Sequence, residues 1–123
     1  MNCKIDTRET FDIITPINTT LDSKLADELS KLIESSREND KSVILNFENI
    51  STLTIDKIDM FLHTHTSMYS DNYSFVLCEI KGDLKHKIHE NELDDILNIA
   101  PTLIEAIDIV SMEDVERELL GGE

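Results

Sequence analysis

Glycine is nearly absent. Three occur in 123 residues, and two of them, Gly121 and Gly122, stand at the C-terminal end, so Gly82 is alone in the body of the chain. Phosphate-cradling loops need glycines, because only a backbone stripped of side chains lets several N–H groups close on one anion. Dinucleotide and Walker-type sites are therefore excluded. Tryptophan is missing, and four Phe and two Tyr are the remaining aromatics, so a core has to come from converging aliphatic faces. Basic residues are also scarce, 11 Lys and Arg against 26 Asp and Glu. The net charge of -15, with no local Lys/Arg cluster to offset it, repels nucleic-acid backbones and anionic lipid, so neither is an expected partner. No apolar run approaches the roughly 18 residues that span a bilayer. The opening MNCKIDTRET carries acids in place of the apolar stretch of a signal peptide, and the chain reads as cytoplasmic. Two cysteines, Cys3 and Cys78, sit in strand-like surroundings and read as small reduced core residues, not as a disulfide.

What is present is aliphatic and periodic. Hydrophobic residues make up 40% of the chain, mostly Ile and Leu in clusters, which argues for a folded domain despite 30% charged residues. Residues 1–123 have the size of one domain, able to bury about two thirds of the surface that the unfolded chain exposes. Thr10 to Ile17 has strand character, is expected to pair with the weaker segment Asn2 to Thr7, and should end at Pro16. Leu21, Leu25, Ala26, Leu29, Leu32 and Ile33 keep helical spacing behind Asp22, a candidate N-cap. Ser42 to Phe47 reads as a strand buried on both faces. Ile55, Ile58, Phe61, Leu62, His65 and Tyr69 form a second helical stripe, and Tyr73 to Ile80 a third strong strand. A short helix is expected over Leu84 to Asn91 behind Asp83, an edge strand over Ile96 to Ile99, and a final helix opened by the capping box Thr102-Leu-Ile-Glu105 and running to Gly121. The alternation predicts an α/β fold, a mixed sheet of four or five strands with about four helices.

Chemistry-bearing patterns are few. Nothing resembles a Gly-x-Ser-x-Gly elbow, and both cysteines fall in buried strands, so an enzyme is not expected. His63 and His65 lie two apart on a helix and diverge. His86 and His89 lie three apart and can share a face with Glu90 or Glu92, but no further ligand pair completes a metal set. No metal or cofactor is expected. The acidic C-terminal helix, with Glu105, Asp108, Glu113, Asp114, Glu116 and Glu118, is either a solvated face or a docking surface for a basic partner.

The order of elements resembles the STAS domain of bacterial anti-sigma factor antagonists. Leu21-Asp22 matches the Leu-Asp pair that opens that family's first helix. Val43-Ile-Leu-Asn-Phe-Glu48 matches its central strand V-I-L-D-L-S, and Thr102-Leu-Ile-Glu105-Ala106 matches the Ser/Thr-x-x-Glu-Ala start of its last helix. The stretch ILNIAPTLIEAIDIVSMEDVERELL is similar to the C-terminal part of Bacteroidetes STAS proteins. The resemblance implies a protein-binding regulator. In the family, an anti-sigma factor that is also a serine kinase modifies the first serine of Asp-Ser-Ser-Gly, and the added charge releases the complex.

This chain departs from the family at that motif. The alignment sets Asp-Ser-Ser-Gly on Thr54-Ile55-Asp56-Lys57, so Ile55, without a hydroxyl, holds the phosphoacceptor position. Thr54 is an alternative acceptor or, more simply, a helix N-cap. Asp56 is a standing phosphoserine mimic or an acid in a first helical turn. Ile55 packs inward, or onto a partner, in a domain that binds without being switched. The expected docking surface comprises Asn18, Thr19, Thr20, Ser51, Thr52, Thr54, Ile55, Asp56 and Lys57. Its expected partner is an anti-sigma factor of the serine kinase-like ATPase type or another STAS protein, with this chain a monomer or weak homodimer. The alternatives are a STAS scaffold outside any sigma pathway and a small-ligand or metal sensor built on His86 and His89.

Overall fold

The computed structural model describes residues 3–56 and 58–121. Its frame is a five-stranded sheet in the order β1 (Cys3–Thr7), β2 (Phe11–Pro16), β4 (Ser42–Asn46), β6 (Phe75–Cys78), β7 (Ile99–Ala100). β1 runs antiparallel to β2, and the other neighbours are parallel. The predicted α/β class and mixed sheet are therefore present. Every residue of β4 and β6 is buried, because helices cover both faces of the central strands. Side chains alternate between two cores. Val43, Leu45, Phe75 and Leu77 face α1 (Ser23–Glu38), α2 (Asp59–Ser70) and α3 (Gly82–Glu90), whereas Ile44, Val76 and Cys78 face α4 (Leu103–Gly121). One face has three helices over it; the other has one.

Local signals explain most boundaries. The Asp22 side chain accepts from the Leu25 N–H at 2.8 Å and caps α1 as predicted. At α4 the Glu105 N–H donates to Thr102 Oγ1 at 3.2 Å, the Thr102 hydroxyl donates to Glu105 Oε1 at 2.9 Å, and Glu79 Oε2 accepts from the Leu103 N–H at 2.8 Å. Several boundaries differ from expectation. Leu21 belongs to a two-residue strand, β3 (Thr20–Leu21), paired with β5 (Thr52–Leu53), and not to the α1 stripe. α2 starts at Asp59 behind Ile58, so Thr54 is no N-cap and Ile55 and Asp56 lie in the loop ahead of the helix. Lys81, not Asp83, is the N-cap of α3. The expected edge strand shrinks to Ile99–Ala100, because Ile96 and Leu97 turn back to the Leu93 carbonyl. Of the segment expected to pair with β2, Cys3 to Thr7 does so and Asn2 lies outside the described residues.

Polar ties gather where the parallel strands begin. Glu113 accepts from Tyr69 OH at 2.8 Å, Ser74 Oγ at 2.6 Å and Asn98 Nδ2 at 3.2 Å. Arg117 donates to Ser74 Oγ and Asp114, and Asp114 accepts from Thr10 Oγ1. One carboxylate thus joins the end of α2, the entries to β6 and β7, and α4. Burial first, and the Glu113 charge after it, push the Tyr69 hydroxyl up to about 12, which keeps it a donor. Glu113→Ala strands these donors, and a loss of about 1–3 kcal/mol is expected in urea unfolding.

The cysteines are free and buried. Burial, with Glu79 and Glu48 adding to it, pushes the Cys78 thiol from 9.0 up to about 12; burial and Glu28 push Cys3 up to about 11. The folded state therefore disfavours thiolate, while the unfolded chain ionises near pH 9.0. The contribution to stability is complete below that pH and is lost as pH rises toward about 12. The urea midpoint is expected to fall between about pH 8 and about pH 10.5, and less so in Cys78→Ala.

Candidate functional site

The β3–β5 ladder lies beyond the carboxyl end of the central strands. Ser51 and Thr52 donate their N–H groups to the Thr19 carbonyl at 2.8 and 3.1 Å, and the Thr54 N–H donates to the Leu21 carbonyl at 3.0 Å. The Thr20 and Thr52 hydroxyl oxygens stand 2.6 Å apart. Asn49 Nδ2 donates to the Pro16 carbonyl at 3.1 Å, fixing the approach. Residues far apart in sequence become one surface. Asn18, Thr19 and Thr20 from the first turn lie alongside Ser51, Thr52 and Thr54 from the second, and Lys57 lies outside the described residues.

Within that surface the side chains divide by chemistry. Thr19, Ser51, Thr52, Thr54 and Asp56 are exposed, while Leu53 and Ile55 are half-buried and pack against the larger core. Ile55 holds the loop down with one apolar side chain between two exposed polar neighbours. Ile17, at 59% exposure, adds an apolar residue just before the Asn18–Thr20 turn. It is absent from the sequence-based set because an Ile after a strand-ending Pro reads as the tail of that strand.

α3 forms a wall that the sequence does not announce. Leu53, Thr54, Ile55 and Asp56 share a groove of about 310 Å³ with Asp83, His86, Lys87 and Glu90. Asp83 Oδ2 accepts from the Leu53 N–H at 3.3 Å, and the Lys81 ammonium donates to the Glu48 carbonyl. Gly82 makes the approach possible. Its φ of +59° suits glycine, and a Cβ there would meet the Ser51 carbonyl oxygen at 2.8 Å. A lone glycine ahead of a helix permits such an approach, but the sequence does not say which segment makes it.

His86 and His89 border a neighbouring cleft with Lys85 and Asp94. His89 Nδ1 lies 3.1 Å from Asp94 Oδ2, and this hydrogen bond holds the Asp94 carboxyl below its ordinary range. Among the described residues no group of three His, Cys, Asp or Glu side chains is placed to hold a metal ion.

A family model for the STAS domain matches residues 4–106, most of the chain and all of the elements that build this surface. The chain belongs to the STAS domain family. The same fold appears in the crystal structure of a candidate anti-sigma factor antagonist from Thermotoga maritima, at a TM-score of 0.72 and 14% identity over 89% of this chain and 94% of that one. No curated protein matches the sequence. Among the described residues, no helix of this STAS domain is long and apolar enough to cross a membrane.

The contact between α3 and the 51–56 segment has a direct test. Gly82→Ala combines a disfavoured φ with a backbone clash, and is expected to cost about 1–3 kcal/mol in urea unfolding. Amide shifts in an NMR spectrum should concentrate at residues 51–54.

Proposed function

We propose that residues 1–123 act as a single non-enzymatic STAS domain, a protein-binding regulator of the anti-sigma factor antagonist type that docks its partner without a serine switch. The observation that carries this reading is the position of Ile55. The family resemblance sets it on the phosphoacceptor position, and its side chain packs against the core between exposed Thr54 and Asp56. An isoleucine cannot accept phosphate, so the charge that releases partners from relatives has no attachment point here. The ladder that organises the docking surface needs no modification to form.

The partner-binding set is Asn18, Thr19, Thr20, Ser51, Thr52, Thr54, Ile55, Asp56 and Lys57, extended by Ile17 and by the α3 wall at Asp83, His86 and Lys87. Its hydroxyls supply hydrogen bonds, and Ile17 and Ile55 supply apolar contact. That mixture suits a protein surface better than a small molecule, since the adjoining groove is open and shallow. The partner in this reading is a cytoplasmic anti-sigma factor of the serine kinase-like ATPase type. Asp56 does not serve as a phosphate mimic, because it extends from a loop that Ile55 already anchors and carries a single charge.

Two measurements test the proposal together. Capture from the source cell with the full chain should recover a histidine-kinase-like ATPase, and Ile55→Asp should lower that recovery at least about tenfold by placing a charge in an apolar contact. Recovery of only the same chain or other STAS proteins would replace the antagonist reading with a scaffold. Incubation of the captured pair with ATP should leave residues 51–54 without phosphate by mass spectrometry; stoichiometric phosphate there overturns the unswitched mode.

A further inference from the structure

α4 is apolar on two opposite sides. Ala106 and Val110, with Leu103, Ile107 and Ile109 around them, pack on the sheet. Ile104, Met112, Val115 and Leu119 point away from it, 74%, 66%, 53% and 79% exposed. At about 100° per residue these four fall within an arc of roughly 80° and run about 22 Å along the helix. The last three are spaced three and four residues apart, as in the seam of a two-helix contact. Scattered surface hydrophobics are ordinary, but an aligned row of four is an interaction surface. Met112, Val115 and Leu119 lie beyond residue 106, where the match to the family model ends.

Charge identifies the occupant. Asp108 lies inside the row, Glu105 and Glu116 border one side, and Glu118 borders the other, all exposed. The one basic residue of the helix, Arg117, lies on the sheet side and is engaged with Ser74 and Asp114. A second copy of this chain would bring the same acids against these, on top of two net charges of -15. Four side chains also fall well short of the roughly 800 Å² per partner that a stable dimer buries. An anionic membrane is repelled for the same reason. A helix with its own apolar stripe flanked by Lys and Arg meets both requirements, since flanking charges set the choice of partner in paired helices.

We infer that the outer face of α4 is a second docking surface, which takes a basic amphipathic helix of another protein. It is independent of the surface around Ile55. The probe is a synthetic amphipathic peptide of roughly three heptads, with Leu on the seam and Lys at the flanking positions. Titrated with the full chain in fluorescence anisotropy, it should bind with an affinity that weakens as salt rises. A Glu-flanked version and a scrambled peptide of identical composition should each bind at least about tenfold more weakly. Val115→Gln with Leu119→Gln should abolish the difference between the Lys-flanked and scrambled peptides, and Ile55→Asp should leave it intact. Val115 and Leu119 are exposed, so the circular dichroism spectrum and melting point of the double variant should not change. Equal binding of the scrambled peptide, or full binding by the double variant, overturns the inference. So does concentration-dependent dimerisation of the chain that the double variant removes, which would give the face to a second copy.

Discussion

The parallel pairing of β4 with β6 is the constraint on which the rest of the structure depends. Both strands are buried on both faces, so neither can carry a polar recognition group along its length. Whatever is to be presented to a partner has to leave at the strand ends. At the carboxyl end the chain does this twice, through the segment from Phe47 to Ile58 and through the turn from Glu79 to Gly82 that leads into α3. The hydrogen bond from the Leu53 N–H to the Asp83 carboxylate and the close approach of Gly82 to Ser51 fasten those two exits together. In open α/β sheets this end is where ligands are generally met.

Much of the frame was legible in the sequence because its signals are local and strong. Asp22 caps α1, Thr102 and Glu105 form their box, and the β-branched runs at 42–47 and 73–80 mark the central strands, although Glu79, at φ +57°, cuts the second one short. What was illegible depends on tertiary contact. β3 and β5 are two residues each, and no periodicity operates over two residues; the strands exist because the Thr19 and Leu21 carbonyls find donors thirty residues away. The start of α2 was misplaced for a related reason. Ile55 fits the apolar rhythm of the helix, but it reaches the same core from a loop, and apolar spacing records burial without recording the backbone that delivers it.

The same distinction governs the candidate site. The two turns could be nominated by resemblance, and their residues do lie side by side, yet nothing in the sequence connects them to α3. That connection rests on a single glycine and a carboxylate, each unremarkable alone. The departure at Ile55 was visible in the letters, whereas its anchoring role needed coordinates. Ile55 sits half-buried between exposed Thr54 and Asp56 and packs on the larger core, a contact that apolar spacing alone does not assign to a loop.

The ties around Glu113 have a consequence for how the molecule bears load. Tyr69, Ser74, Asn98, Thr10 and Arg117 all converge where the parallel strands begin, and the ion pair of Arg37 with Asp71 joins α1 to α2 near the same place. The opposite rim is held by the backbone bonds of the β3–β5 ladder, by side-chain bonds of Asn49, Lys81 and Asp83 to the backbone, and by the packed Leu53 and Ile55. Ties between side chains thus gather at one pole, so a pull on α4 is passed through them to α2 and to the entries of β6 and β7.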